Sequence, residues 1–130
     1  MKKVAIVPKS MENIVERAGY LPAIRVDNLL VMSGQVGRDA QLAIPADPEQ
    51  QFRLCWDNLA LVLAEAGCTF EDVIDMTTYH VNMSTHMPVF RQVKNERFPL
   101  ATCCWTCIGV SELAHPGLLV EIKCTALIAS

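Results

Sequence analysis

Charge is scarce in this chain. Of its 130 residues only 19% are Asp, Glu, Lys or Arg, and the formal sum is −3. With 11 basic residues against 14 acidic ones, no cationic surplus is left to displace counterions from a phosphate backbone. Aromatic residues make up 6%, too few and too scattered for a platform of stacked bases. Both shortages exclude a general nucleic-acid binder. Long apolar runs are missing as well, since no stretch approaches the roughly 20 residues of a membrane span. The opening MKKVAIVP holds two lysines and then four apolar residues before Pro8, too few for the apolar region of a secretion signal. Low-complexity tracts, linkers and internal repeats are absent too, so residues 1–130 are expected to form one domain.

What is abundant is apolar: 52% of the chain. In a domain this small the surplus has two destinations, a core rich in Ala, Cys and Met, or a subunit interface, and the interface is the favoured reading. Six cysteines sit inside apolar segments. Without a secretion signal they read as reduced, buried thiols, which places the protein in the cytoplasm.

Residues 1–18 carry the weakest pattern, a short strand at 4–7 and then an irregular or helical turn. Residues 23–26 and 29–33 are apolar runs separated by Asp27-Asn28, a turn pair, and predict a hairpin. Gly34 follows at the strand end, where a glycine marks a bulge or a close backbone approach. The clearest element follows Asp47-Pro48-Glu49: an N-cap, a proline suited to the first helical position, and an acid at the positive end of the dipole. Phe52, Cys55, Trp56, Leu59, Val62, Leu63 and Ala66 then fall on one helical face, and Gly67 stops it. Residues 73–81 are rich in β-branched side chains and predict a strand. A second helix is expected over 87–97, capped by Ser84 or Thr85, with Val89, Phe90 and Val93 inward and Pro99 at its end. Strands at about 102–110 and 118–128 complete an order β-β-α-β-α-β-β: an α+β sandwich with two helices on one face of a mixed sheet.

The stretch CCWTC (103–107) contains a C-x-x-C, Cys104 to Cys107. Strand alternation sends Cys103, Trp105 and Cys107 to one face and Cys104, Thr106 and Ile108 to the other. A zinc knuckle needs both sulfurs on one metal and two further ligands, and His80, His86 and His115 are scattered. A redox pair favours a helix N-terminus, whereas this one leads into a strand. No metal site is therefore expected, and the cysteines read as packing residues or the wall of a non-redox pocket. In the last strand Leu118, Val120, Ile122, Cys124, Ala126 and Ile128 share an apolar face, while Leu119, Glu121, Lys123 and Thr125 share the other. A carboxylate in so apolar a strand needs a partner or a task. Lys123 is one partner; a cleft at a subunit boundary is the alternative.

Tyr20 followed by LLVMSGQVG (29–37), the segment WDNLALVLAEAGCTFEDVIDMTTYHVNM (56–83), and WTCIGVSEL (105–113) ending in VEIKCTA (120–126) together resemble the Rid family, the YjgF-like reactive-intermediate deaminases also known as endoribonuclease L-PSP-like proteins. The resemblance spans about 18–128. It implies a chorismate-mutase-like fold and homotrimers with small-metabolite clefts between subunits. It also implies cofactor-free hydrolysis of short-lived enamines and imines such as 2-aminoacrylate. By that resemblance Tyr20, Gly34 and Glu121 match the family's tyrosine, strand-end glycine and water-activating acid. Cys107 matches a cysteine whose main chain lines the site, and Gln92 stands for a polar asparagine on the second helix. Trp105 departs from the pattern. It stands where the family has the arginine that clamps the substrate carboxylate, and an indole offers one N–H and no charge. Trp105 with Lys94-Asn95-Glu96 resembles the YjgH-like branch, which lacks that arginine. A flat wall for a planar ligand and a simple packing residue are both open readings of Trp105. The implied activity is thus a deaminase-type hydrolysis on a substrate other than carboxylate-clamped 2-aminoacrylate. A non-catalytic ligand-binding trimer is the alternative, and RNA cleavage, named for this family, has no support in the charge.

Overall fold

A computed structural model describes residues 2–129. The chain runs β1 (Lys3–Ile6), a 3-10 turn (Lys9–Met11), α1 (Glu12–Ala18), β2 (Ala23–Val26), β3 (Leu29–Met32), β4 (Gln35–Val36) and α2 (Pro48–Glu65). It continues with a 3-10 turn (Phe70–Asp72), β5 (Val73–His80), α3 (Met83–Arg97), β6 (Cys104–Gly109) and β7 (Val120–Leu127). The expected α+β class holds: one seven-stranded mixed sheet in the order β1-β2-β3-β7-β5-β6, with β4 also pairing β7. All pairings are antiparallel except β5 with β6, which α3 joins as a crossover. β7 lies between β3/β4 on one side and β5 on the other, so the strand last in sequence is central in the sheet.

Local chemistry accounts for α2. The Asp47 carboxylate accepts from the Gln50 N–H, Pro48 occupies the first turn, and the chain leaves the helix through Gly67 at φ 76°. Its predicted face is buried from Phe52 to Leu63, and Trp56 lies at the centre of an aromatic cluster with Phe70, Phe90 and Phe98. The turn into β5 closes with a capping box, Thr69 and Asp72 each bonding the other's main chain. The predicted apolar face of the last strand is buried from Leu118 to Ile128.

Three expectations need correction. The N-terminal segment has the short strand expected there, as β1 on the sheet edge, and its turn is a helix, α1; the order above omits both. α3 starts at Met83, not near 87, and its N-cap is Asn82 in the left-handed region (φ 53°) with no side-chain cap bond, not Ser84 or Thr85. Pro88 therefore lies in the second turn, where it removes only the bond to the exposed Ser84 carbonyl, a group that water can reach. The cysteines are all free, but only Cys55, Cys68 and Cys124 are buried; Cys103 is half-buried, and Cys104 and Cys107 are exposed. The last two sit on β6, an edge strand with no neighbour outside it.

The helices cover one sheet face. On the other, Leu29, Val31, Leu127 and Ile108 remain 39–45% exposed, so part of the apolar surplus lies on the surface of this chain. No helix among the described residues is long and apolar enough to cross a membrane.

Candidate functional site

The hairpin and the central strand meet where β3 gives way to β4, and Gly34 sits in that step. Its φ is not in the left-handed region; what the position requires is space. A Cβ added there would stand 2.6 Å from Oε2 of Glu121, so only a glycine lets the carboxylate lie against the backbone. The predicted close approach is real, and its partner is the anomalous acid. Gly34→Ala is expected to push Glu121 aside at little cost in stability, because the displaced group is the end of a side chain. If Glu121 is catalytic, turnover should fall by up to about a hundredfold with the melting temperature nearly unchanged. Steady-state kinetics beside thermal melts check this.

Glu121 does not pair with Lys123. The Lys123 ammonium donates to the Met32 carbonyl at 2.7 Å, and no ion pair among the described residues includes Glu121. Burial pushes the Glu121 carboxyl above the usual range, and the nearby Lys123 charge offsets this in part. Tyr20 responds to the same surroundings. Burial and the Glu121 charge raise its phenol, Arg38 pulls it the other way, and at neutral pH it stays a hydrogen-bond donor.

Tyr20, Gly34 and Glu121 line one cavity of about 630 Å3. Its walls come from α1, the 38–42 turn, the outer side of α2 and the 114–118 loop, so residues 10–18, whose role was undecided in the sequence, form one side of it. His115 lies on the rim. The turn is held firmly: Asp39 accepts from the Gln41 and Ala43 N–H groups, and Asn58 donates to the Val36 and Arg38 carbonyls, both at 2.8 Å. On the opposite flank buried Gln51 donates to the Pro45 and Gly117 carbonyls and accepts from the Leu119 N–H, which fixes the entry into β7. Sequence reasoning missed Asn58 and Gln51. Both are polar residues inside an amphipathic helix, and apart from Pro45, six residues from Gln51, their partners lie 20 to 68 residues away.

The other three predicted residues do not reach this cavity. Trp105 and Cys107 lie on β6, opposite Met76 and Thr78 of β5, while Cys104 and Thr106 lie opposite Asp75 and Thr77. The C-x-x-C is thus split across the two faces. The Trp105 N–H donates to Thr78 Oγ1 at 2.9 Å, and that hydroxyl lies 2.8 Å from Nε2 of buried His80. Burial lowers the His80 pKa, which keeps the ring neutral and able to accept the Thr78 proton. The Lys94 ammonium stands 4.4 Å from the center of the Trp105 ring, with the Arg91 guanidinium at 6.0 Å. The indole's one donor and one of its faces are therefore already engaged, which favours packing over ligand stacking. Cys107 faces Met83, its thiol 3.6 Å from the thioether sulfur, and Gln92 is exposed on α3. Among the described residues no three His, Cys, Asp or Glu side chains are grouped as metal ligands.

A helix-backed mixed sheet whose central strand presents an acid, with no ion pair among the described residues, to a cavity against a strand-end glycine defines this as an α+β protein. The chain belongs to the endoribonuclease L-PSP family, whose model matches residues 11–128, the family of the YjgF-like Rid proteins that its motifs resemble. The RutC family protein YjgH of Escherichia coli (strain K12) is 39% identical over 131 positions, covering 98% of this chain and 97% of that protein. The RutC family protein UK114 of Drosophila melanogaster is 30% identical over 118 positions, covering 87% and 82%. The solved structure of protein YjgH matches with a TM-score of 0.92 at 38% identity, covering 100% of this chain and 99% of the other.

Proposed function

We propose that the protein is a homotrimer that binds a small metabolite in clefts between subunits and hydrolyses an enamine or imine there, without a cofactor. The observation that carries this reading is Glu121, an acid in the central strand with no ion pair, held against Gly34 in an apolar cavity beside Tyr20. In the reaction the Glu121 carboxylate takes a proton from water as the oxygen adds to the C=N carbon. The carboxyl gives that proton to the nitrogen, leaving a carbinolamine, and then takes the hydroxyl proton and passes it to the nitrogen as the C–N bond breaks, so that a ketone and ammonia leave. A carboxyl pushed up by burial suits both halves of that exchange. Tyr20 supplies a neutral donor to orient the substrate.

The trimer is supported by the separation of the candidate residues into two groups. One group borders the cavity, and the other lies on the edge strand β6 and, for Gln92, on α3. An adjacent copy can bring that edge, with Trp105, Cys107 and Gln92, to the cavity mouth, and the exposed apolar side chains of the sheet face give such a contact its driving force. Light scattering should give three times the chain mass, and a stable monomer would remove the shared cleft. With Trp105 in place of a clamping arginine, 2-aminoacrylate should be a poor substrate, and Trp105→Arg should improve it. Wild-type turnover of 2-aminoacrylate as fast as that of bulkier imines would sink the substrate assignment. Inactivity on every imine, with tight binding of a stable ligand, would instead favour a non-catalytic binding trimer.

A further inference from the structure

The cavity that holds Tyr20 and Glu121 also holds a cation that the proposed hydrolysis does not use. Arg38 lies in its wall, half-buried, directly after the stretch that carries Gly34. Its main chain is fixed by Asn58, and the Asp39 turn follows it at once. Its side chain is hardly engaged. Nε lies 3.4 Å from the Leu42 carbonyl, a long contact, and no hydrogen bond or ion pair among the described residues uses its two terminal nitrogens. Arg53 is paired with Glu49 and Glu96, and Arg97 with Asp57; Arg17, which also lines the cavity with no partner among the described residues, is exposed on α1, whereas Arg38 is half-buried. A guanidinium set in a largely apolar wall with its fork unpaired is a donor pair waiting for an acceptor. Asp39, the acid that follows it in the wall, already accepts two main-chain N–H groups. Lys94, the rival cation, lies instead over the rings of Trp105 and Phe98 and outside the cavity lining.

We propose that Arg38 anchors the carboxylate of an organic acid whose apolar body fills the rest of the cavity. The positive charge missing from position 105 is thus supplied from the 38–42 turn, on the same wall as the reacting acid. Met11, Ile14, Val36, Leu42, Leu61 and Leu118 offer the body an apolar surface, and the volume lies within the roughly 300–1,000 Å3 of small-molecule sites. A three-carbon acid would leave most of it empty. The ligand class is therefore a monocarboxylate with an aromatic or branched aliphatic chain. This deepens the proposed function by naming its substrate class, and it rests on the same cavity without requiring that Glu121 react.

Equilibrium calorimetry with 3-phenylpropanoate and its neutral isostere 3-phenylpropanamide separates the two ideas, because neither probe is hydrolysed. The carboxylate is expected to bind about tenfold to a hundredfold more tightly than the amide, the span of a charge-assisted hydrogen-bond pair. Arg38→Gln should remove that preference while leaving amide binding in place, and Arg38→Lys should restore part of it. Glu121→Gln should abolish turnover yet keep the preference, so failure of the hydrolysis leaves this test intact. Equal binding of the two probes overturns the proposal, as does no saturable binding of 3-phenylpropanoate. So does a preference that Arg17→Gln or Lys94→Gln removes and Arg38→Gln does not. Amide binding and melting temperature establish that each variant is folded.

Discussion

Glu121→Gln is expected to lower imine hydrolysis by about a hundredfold to ten-thousandfold, the range for losing a positioned general base. The replacement keeps the shape and the packing against Gly34 but cannot take a proton. The same change should stabilise the fold at neutral pH, and the sign follows from the direction of the shift. Burial raises the Glu121 pKa in the folded protein, so the folded state holds this proton more tightly than the unfolded chain does. The stability linked to that proton is fully present below the unfolded carboxylate pKa of about 4.3 and is lost as pH rises through the raised folded value. Melting curves of both proteins from about pH 4 to about pH 8 should therefore diverge upward, with Glu121→Gln gaining on wild type as pH increases. Unchanged turnover in a folded variant would remove Glu121 from the chemistry. Parallel melting curves would show that the acid is not held at a cost.

The largest effect on stability is expected at Trp56. It is fully buried and in contact with three aromatic rings: Phe90 nearly parallel at 6.1 Å between ring centers, Phe98 at 5.5 Å and Phe70 edge-on at 5.8 Å. Trp56→Ala removes the piece that joins α2, α3 and the turn before β5, at a cost of about 3–5 kcal/mol, a large share of the roughly 5–15 kcal/mol that holds a domain together. Trp56→Phe should cost well under half as much. The buried indole N–H has no hydrogen-bond partner among the described residues, so the smaller ring gives up volume but also removes that unsatisfied donor. Chemical denaturation of the two variants decides this. Equal losses would mean that aromatic volume is not what the cluster contributes.

The parts of the fold that were legible in the sequence are those fixed within a few residues. The cap and apolar face of α2, the Asp27-Asn28 hairpin and the alternation of β7 each follow from local spacing, and each is found where it was read. The start of α3 was not legible, because Asn82 caps it through a left-handed backbone and not through a side chain. At the site, Gly34 and Glu121 could be singled out as anomalies, a glycine at a strand end and an acid in an apolar strand, but nothing local said that each explains the other. Nothing local marks Arg38, which simply follows the SGQVG stretch. Its meaning depends on α1 and α2 closing a cavity around it, which no periodicity records. Trp105 was legible as a departure from the family pattern. That its N–H is taken by Thr78, 27 residues away, is a tertiary fact.

The central place of β7 has a consequence for how the chain is made. A ribosome delivers β3, β4 and β5 long before residues 120–127, and until then the edges that will receive β7 have no strand between them. The nascent chain can settle the β1-β2-β3 hairpins and the helices, but it cannot complete the sheet or seat Glu121 against Gly34 before β7 has left the exit tunnel. Until residues 120–127 are available the unpaired edges of β3, β4 and β5 invite neighbours, and a chain cut before Val120 would stay in that state.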